Sequence, residues 1–355
     1  MTQPSPLHVL YLSRVRLNPY VRLLAAGVTR ADPAIRTEVL AVLPWSRVVV
    51  APAPPVLHLH WVELQFAYGH PGLQRARLSW HALRLALIWL RHRGTRLVYT
   101  VHNLHHHDDR LSDLHEVAHG WLFAHADAIH VHDAGTAATI AARWGRRERV
   151  FVIPHGHYRE VYPADVSREE ARRRLHLPAE AFIYLCLGQI RPYKGIDRLI
   201  HAFQHLNDPA TILVIAGHLT SPAYGRHLHR LIADHPNIRL HTAYIPDDEL
   251  QVFFNAADAC VLPYRRATTS GAALLALSFG KPIVAPNLGP FPELITDGNG
   301  VLFDAGEEGL VKALQAVRAL DPEQARTAAL GVAATRDWTL LGAQHAAVYR
   351  QLVAA

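Results

Sequence analysis

The sequence predicts an α/β protein built from two Rossmann-like, doubly wound parallel-sheet domains facing a cleft. Three observations predict it. The chain has 355 residues, beyond the size at which a single core keeps growing, so two cores are expected. Short β-branched runs alternate with longer helical patterns, the order that parallel sheets require. The alternation restarts after a link running from Tyr158 to Ser167 through Tyr162-Pro163.

In the first half the expected strands are His8–Ser13, Val39–Leu43, Val56–His60, Leu97–His102, Ala128–His132 and Val150–Pro154, with helices at Leu73–Arg93 and Gly135–Arg143 among the connections. In the second half they are Phe182–Gly188, Thr211–Gly217, Ile238–His241, Ala259–Pro263, Pro282–Ala285 and Gly300–Phe303. Ser167 followed by Glu169 and Glu170 reads as a capped helix start. Trp338–Val353 reads as a last amphipathic helix. The expected division is residues 1–160 as a first Rossmann-like domain, 161–335 as a second, and 336–355 as a helix packing back toward the first.

Composition narrows the function. Hydrophobic residues make up 50% of the chain and charged residues 19%, which fits a folded globular protein. No apolar run is long enough to cross a bilayer, and Met1–Pro6 has no signal-peptide pattern. Cys186 and Cys260 each lie in an apolar strand-like run, so no disulfide framework is expected, and the cytoplasm is the expected compartment. The formal charge is +6 with 26 histidines uncounted, which suits anionic partners. No zinc-finger or RNA-recognition spacing accompanies it, so nucleic acid is not expected.

In open α/β sheets ligands bind beyond the carboxyl ends of the strands. Strand Phe182–Gly188 runs into Arg191-Pro192-Tyr193-Lys194-Gly195, where a guanidinium fork and an ammonium in one loop suit a diphosphate. Gly188 permits a close backbone approach. Strand Ala259–Pro263 leads to Thr269-Ser270-Gly271 and an Ala/Leu-rich helix, a start that exposes N–H groups to an anion.

In the first half, strand Leu97–His102 ends in His102-Asn103. His102 reads as a hydrogen-bonding group or a base, with Asn103 beside it. His105–His107 cannot easily converge on one ion, so no metal is expected. Asp108 or Asp109 stays open as a general base should the reaction invert configuration. His155 and His157 follow strand Val150–Pro154 and read as cleft contacts or as a hinge. Leu73–Arg93 carries Arg75, Arg77, Arg84, Arg91 and Arg93 with Trp80 and Trp89. It reads either as a helix lying on an anionic membrane or as a packed helix with a solvated basic face.

The string Arg191-Pro192-Tyr193-Lys194-Gly195, the Ser270-Gly271 helix with Gly280-Lys281-Pro282, and Pro292-Glu293-Leu294-Ile295 together resemble family 4 glycosyltransferases. Asn18-Pro19-Tyr20, His58-Leu59-His60-Trp61, Thr100-Val101-His102-Asn103 and Ile153-Pro154-His155-Gly156 extend the likeness to the first half. The resemblance implies a GT-B fold, a UDP- or GDP-sugar donor in the second domain, no cofactor and no catalytic metal. It implies that Arg191 and Lys194 bind the donor phosphates, with Gly188 and the Thr269-Ser270-Gly271 start beside them. Tyr244 and Ile245 would lie on the loop whose backbone reads the base, Glu293 would be a cleft contact, and His102 would approach the transferred sugar. Many relatives carry two glutamates where this chain has Ala267 and Leu275. The expected reaction is hexosyl transfer to a hydroxyl of a carbohydrate or lipid-linked acceptor, with retention of configuration, close to the inner membrane face. The alternatives are a catalytically degenerate sugar-nucleotide-binding protein, or a GT-B-like phosphorylase or epimerase.

Overall fold

Residues 6–69, 72–104, 111–267, 270–304 and 306–354 are described by a computed structural model. The chain divides into two units, Met1–Gly156 with Arg336–Ala355, and His157–Thr335. The first contains strands β1 (Leu7–Leu12), β2 (Ile35–Leu40), β3 (Val56–His60), β4 (Arg96–Thr100), β5 (Ala128–Val131) and β6 (Val150–Val152). All pair in parallel, in the order β2-β1-β3-β4-β5-β6. Its helices are α1 (Tyr20–Ala31), α2 (Trp45–Val49), α3 (Glu63–Ala67), α4 (Leu73–His92), α5 (Ser112–His125) and α6 (Ala134–Trp144).

One expected strand is displaced. The apolar run Val39–Leu43 suggested β2, but the pairing register runs from Leu7↔Ile35 to Leu12↔Leu40. As the edge strand, β2 exposes Arg36 and Val39, and only Ile35 is fully buried. Val42, past the pairing, is 50% exposed. Only the first two residues of the apolar run, Val39 and Leu40, lie in the ladder.

The second unit holds α7 (Arg168–Arg174), β7 (Phe182–Leu187), α8 (Ile196–Leu206), β8 (Thr211–Ala216), α9 (Pro222–Ile232), β9 (Ile238–His241) and α10 (Leu250–Ala256). It continues through β10 (Ala259–Val261), α11 (Gly271–Ser278), β11 (Ile283–Pro286), α12 (Phe291–Leu294), β12 (Gly300–Phe303), α13 (Glu307–Val317) and α14 (Pro322–Ala334). Its parallel sheet runs β12-β11-β10-β7-β8-β9. The Ser167 hydroxyl caps α7 by accepting from the Glu170 amide. After β9 the chain returns across the sheet to lay β10 on the other side of β7. The switch point of this sheet therefore lies between the carboxyl ends of β7 and β10.

The final helix, α15 (Trp338–Ala354), belongs to the first unit and packs against α1. A Cβ on Gly27 would overlap the Trp338 backbone, and one on Gly342 would overlap the Gly27 backbone. The helices thus meet glycine to glycine. Gly342→Ala is expected to destabilise the first unit by about 1–3 kcal/mol through overpacking. Gly331→Ala on α14, where a Cβ meets nothing within 4 Å, is the control in denaturant unfolding followed by circular dichroism, and should be neutral or slightly stabilising.

Candidate active site

At the β7–β10 switch point the two loops are joined by backbone. Gly195 adopts φ +67 against the Pro263 carbonyl, where a Cβ would overlap. The Arg265 amide donates to the Tyr193 carbonyl at 2.9 Å. Gly188 adopts φ +129, and a Cβ there would stand 2.7 Å from Lys194 Nζ. Glycine at 188 is what lets the ammonium lie along the end of β7. Lys194 is buried, with Nζ 5.2 Å from the Tyr264 ring centroid. Burial, the main cause, pulls its pKa down. Arg191 Nε is buried and has no hydrogen-bond partner among the described residues. An unmet buried donor costs about 1–3 kcal/mol, so the loop is arranged to receive an acceptor.

Ser270 is buried and caps α11, its Oγ accepting from the Ala273 amide at 3.1 Å. Gly271 opens that helix. Among the described residues no hydrogen bond joins Ser270 to Arg191 or Lys194; what they share is the switch point. Tyr244, 50% exposed, and half-buried Ile245 lie on the loop after β9, two strands from β7. Glu293 is exposed on α12, after β11. Thr269, His105–His107, Asp108 and Asp109 lie outside the described residues.

A depression of about 630 Å³ opens at the amino ends of β7 and β11, lined by Arg168, Asp258, Lys281 and Arg326 among others. Its central carboxylate is already engaged, since Asp258 accepts from Arg168, Arg172 and the Ile183 amide. The carboxyl edge, with the unmet Arg191 Nε, is the better site.

The first unit places histidines on one face of its sheet. Strand alternation puts His58 and His60 of β3, Thr100 of β4, and His130 and His132 of and after β5 on a common side. His102 and His155 follow β4 and β6, and His345 comes from α15. All these histidines are buried, and burial, with help from neighbouring imidazoles at most of them, pulls their pKa values down. The array is therefore neutral at pH 7.

Neutrality fixes its hydrogen bonds. Ile153 O can only accept, so His130 Nε2 (2.8 Å) and His132 Nδ1 (3.3 Å) donate to it. Thr100 Oγ1 then donates to His130 Nδ1 at 2.9 Å and accepts from His58 Nε2 at 2.7 Å. Tyr349 donates to His58 Nδ1 at 2.7 Å. His345 donates Nδ1–H to Leu341 O. Its Nε2 consequently faces His130 Nδ1 at 3.2 Å with two lone pairs opposed.

His102, 3% exposed, ends this array: His60 Nδ1 is 3.0 Å from its Nε2, and the Trp61 indole stacks on it at 3.5 Å and 6°. Half-buried Asn103 bonds the carboxyl of Glu63, whose burial raises its pKa to about 7. His155 packs at 4.7 Å from the Tyr20 ring, and its Nδ1 bonds Gly156 O. His157 belongs to the second unit, its Nδ1 accepting from the Arg159 amide. Reading by motif missed Glu63, and took His60 and Trp61 only as part of a string. The available signal was the alternation His58-Leu59-His60, repeated at His130-Val131-His132, which turns two histidines of each strand to one face.

Among solved structures, a sucrose-phosphate synthase from Thermosynechococcus elongatus superposes with a TM-score of 0.73 at 20% identity, covering 98% of this chain and 99% of that one. The Anabaena protein HepE in complex with UDP-glucose gives 0.71 at 18% identity, covering 98% and 100%. The fold is GT-B. Residues 167–329 match the family model of glycosyl transferases group 1. A GDP-mannose:glycolipid 4-beta-D-mannosyltransferase of Xanthomonas campestris is 30% identical over 302 residues, 83% of this chain and 79% of the relative. The chain is a member of the group 1 glycosyltransferases. A D-inositol 3-phosphate glycosyltransferase of Xylanimonas cellulosilytica is 28% identical over 360 residues, 91% of this chain and 86% of the relative. This glycosyltransferase has its matched segment in the unit that carries Arg191, Lys194 and Ser270.

Proposed function

We propose that this glycosyltransferase moves a hexosyl unit from a UDP- or GDP-sugar to a hydroxyl of a carbohydrate or lipid-linked acceptor, with no metal or cofactor. The observation that carries the donor assignment is the buried, unpartnered Arg191 Nε beside the Lys194 ammonium at the switch point. Negative charge grows on the departing diphosphate, and fixed cations in a low-dielectric site stabilise it more than they stabilise the bound donor. The α11 start at Ser270-Gly271 adds N–H groups of the same sign. Tyr244 and Ile245 would border the base. His102, neutral, would hydrogen-bond a hydroxyl of the transferred sugar, Asn103 assisting, while His155, His157 and Glu293 would make further contacts. A cation at His102 would oppose the positive charge that develops on the sugar. Retention is the proposed stereochemical outcome. The X. campestris relative's name specifies GDP-mannose and a glycolipid, and HepE was solved with UDP-glucose; both support a nucleotide-sugar donor.

Incubation with UDP- and GDP-hexoses and a short-chain glycolipid tests the reading. The expected result is acceptor-dependent release of the diphosphate, with the hexose mass added to the acceptor and its anomeric configuration unchanged by NMR. Tight nucleotide binding with no transfer to any acceptor would overturn it, as would conversion of the free donor alone.

No described helix is long and apolar enough to cross a membrane. A surface reading is favoured by α4, which buries Ala76, Trp80, Leu87 and Leu90 yet leaves Leu78, Leu85, Ile88 and Trp89 exposed on the same helix as exposed Arg75 and Arg77. Its outward face is thus apolar as well as basic. Trp89 Nε1 and Arg93 donate to the Val48 carbonyl, tying on α2 with exposed Trp45 and Val49. We propose that this face meets an anionic bilayer, where each basic residue adds about 1 kcal/mol. The protein should float with phosphatidylglycerol vesicles at low salt, and Leu85→Ser with Trp45→Ser should abolish flotation. Equal recovery of the variant, or none of the wild type, would count against the surface.

A further inference from the structure

Each of the two sheets has a switch point, and the proposed diphosphate takes only the second. In the order β2-β1-β3-β4-β5-β6, the chain leaves β2 and returns to lay β3 on the other side of β1. A crevice is therefore expected between the carboxyl ends of β1 and β3. Residues 13–19 follow β1, and the turn at Trp61-Val62 with α3 follows β3.

These two segments hold one guanidinium between them. The Ser13 hydroxyl accepts from the Val15 amide at 3.2 Å, which turns the chain tightly at Arg14. Gln65 of α3 donates from Nε2 to the Ala41 carbonyl at 3.1 Å, and its Oε1 accepts from Arg14 Nε at 3.5 Å. The guanidinium of half-buried Arg14 lies over the Tyr68 ring, 5.0 Å from its centroid, where the ring face attracts a cation. Nε and one face are thereby used. The two Nη groups have no hydrogen-bond or ion-pair partner among the described residues. Exposed Arg16, on the same loop, makes no ion pair among them either. The nearby carboxylates are engaged elsewhere: Glu38 accepts from Arg47 at 2.9 Å, and buried Glu63 bonds Asn103. A planar fork held at two points, with its outer nitrogens free, matches the paired oxygens of a carboxylate or phosphate.

We infer that Arg14 reads an anionic group on the acceptor, a sugar carboxylate or a phosphate, at the β1–β3 switch point, with Gln65 and Tyr68 as its positioning residues. This rests on the proposed two-substrate transfer, in which the clamp of the second unit already takes the charge of the donor.

Ligand-observed NMR with the full chain and excess UDP and GDP, which fill the donor clamp, tests the inference with three probes. Methyl β-glucoside is neutral, methyl β-glucuronide adds a carboxylate, and glucose 1-phosphate adds a phosphate. The wild type should bind at least one charged probe about tenfold or more tightly than the neutral one, and the tighter of the two names the source of the charge. Arg14→Ala should erase that preference with nucleotide affinity unchanged. Arg14→Lys, which keeps the charge without the fork, should restore part of it. Tyr68→Leu should weaken the charged probe several-fold, and serves if Arg14→Ala fails to fold. Arg36→Ala, which removes an exposed charge on β2, should leave the preference intact. Equal affinity of the wild type for all three probes, no binding of either charged probe, or a preference unchanged in Arg14→Ala would overturn the inference. The expected preference without hexosyl transfer to any acceptor would instead count against the proposed reaction and leave the anion site standing.

Discussion

Acidification is expected to unfold the first unit before the second. In an unfolded chain a histidine takes its proton near pH 6.5. In the folded unit His155 and His345 stay neutral down to about pH 4, and His58, His60, His102, His130 and His132 are also pulled well down. Between those values the unfolded state binds more protons, so stability is complete above pH 6.5 and drains away as the pH falls. A shift from 6.5 to about 4 at one site corresponds to about 3 kcal/mol at full extent. Two such sites rival the ~5–15 kcal/mol of a typical domain. In the second unit His241, whose pKa burial also lowers, is only half-buried.

The seven tryptophans, Trp45, Trp61, Trp80, Trp89, Trp121, Trp144 and Trp338, all lie in the first unit. Intrinsic fluorescence against pH therefore reports that unit alone, and its transition should fall near pH 5. The first proton is expected between His130 Nδ1 and His345 Nε2, where opposed lone pairs become a hydrogen bond on protonation. Unchanged fluorescence down to pH 4 would show that the array is not held neutral.

The second large effect is on catalysis. Lys194→Ala is expected to lower kcat/KM by about 10²–10³-fold, the range for losing one preorganised group that stabilises transition-state charge. Gly188→Ala should approach the same loss without removing a charge, because its Cβ would occupy space 2.7 Å from Lys194 Nζ and its φ of +129 disfavours any side chain. Arg265→Ala, whose exposed guanidinium is already paired with Asp197 at 2.6 Å, should stay within a few-fold of wild type. Steady-state kinetics on the three variants checks the pattern, and a fully active Lys194→Ala would refute it.

Strands buried on both faces were legible because parallel sheets make continuous apolar runs; Phe182–Leu187 and Thr211–Ala216 stand out by that signal. The edge strand β2 did not, since only Ile35 is fully buried and pairing alone sets its limits. In the site, Arg191, Lys194 and Ser270 were legible from order and spacing along the chain. Glu63, His60 and Trp61 were not, because what matters about them is a neighbour from another strand: Asn103 for the first and His102 for the other two. No spacing within β3 encodes a contact with the end of β4. The face shared by α2 and α4 was half legible: the arginines were plain, but which side Leu78 and Leu85 take depends on the packing of Trp80 and Leu87.

Calorimetric titration of UDP and of GDP into the wild type and into Arg191→Ala with Lys194→Ala tests the donor clamp most directly. One nucleoside diphosphate should bind the wild type at a single site, and the double variant should bind it at least about 100-fold more weakly, two charge-assisted contacts having been removed. Equal affinity in both proteins, or no heat with either nucleotide, would contradict the account.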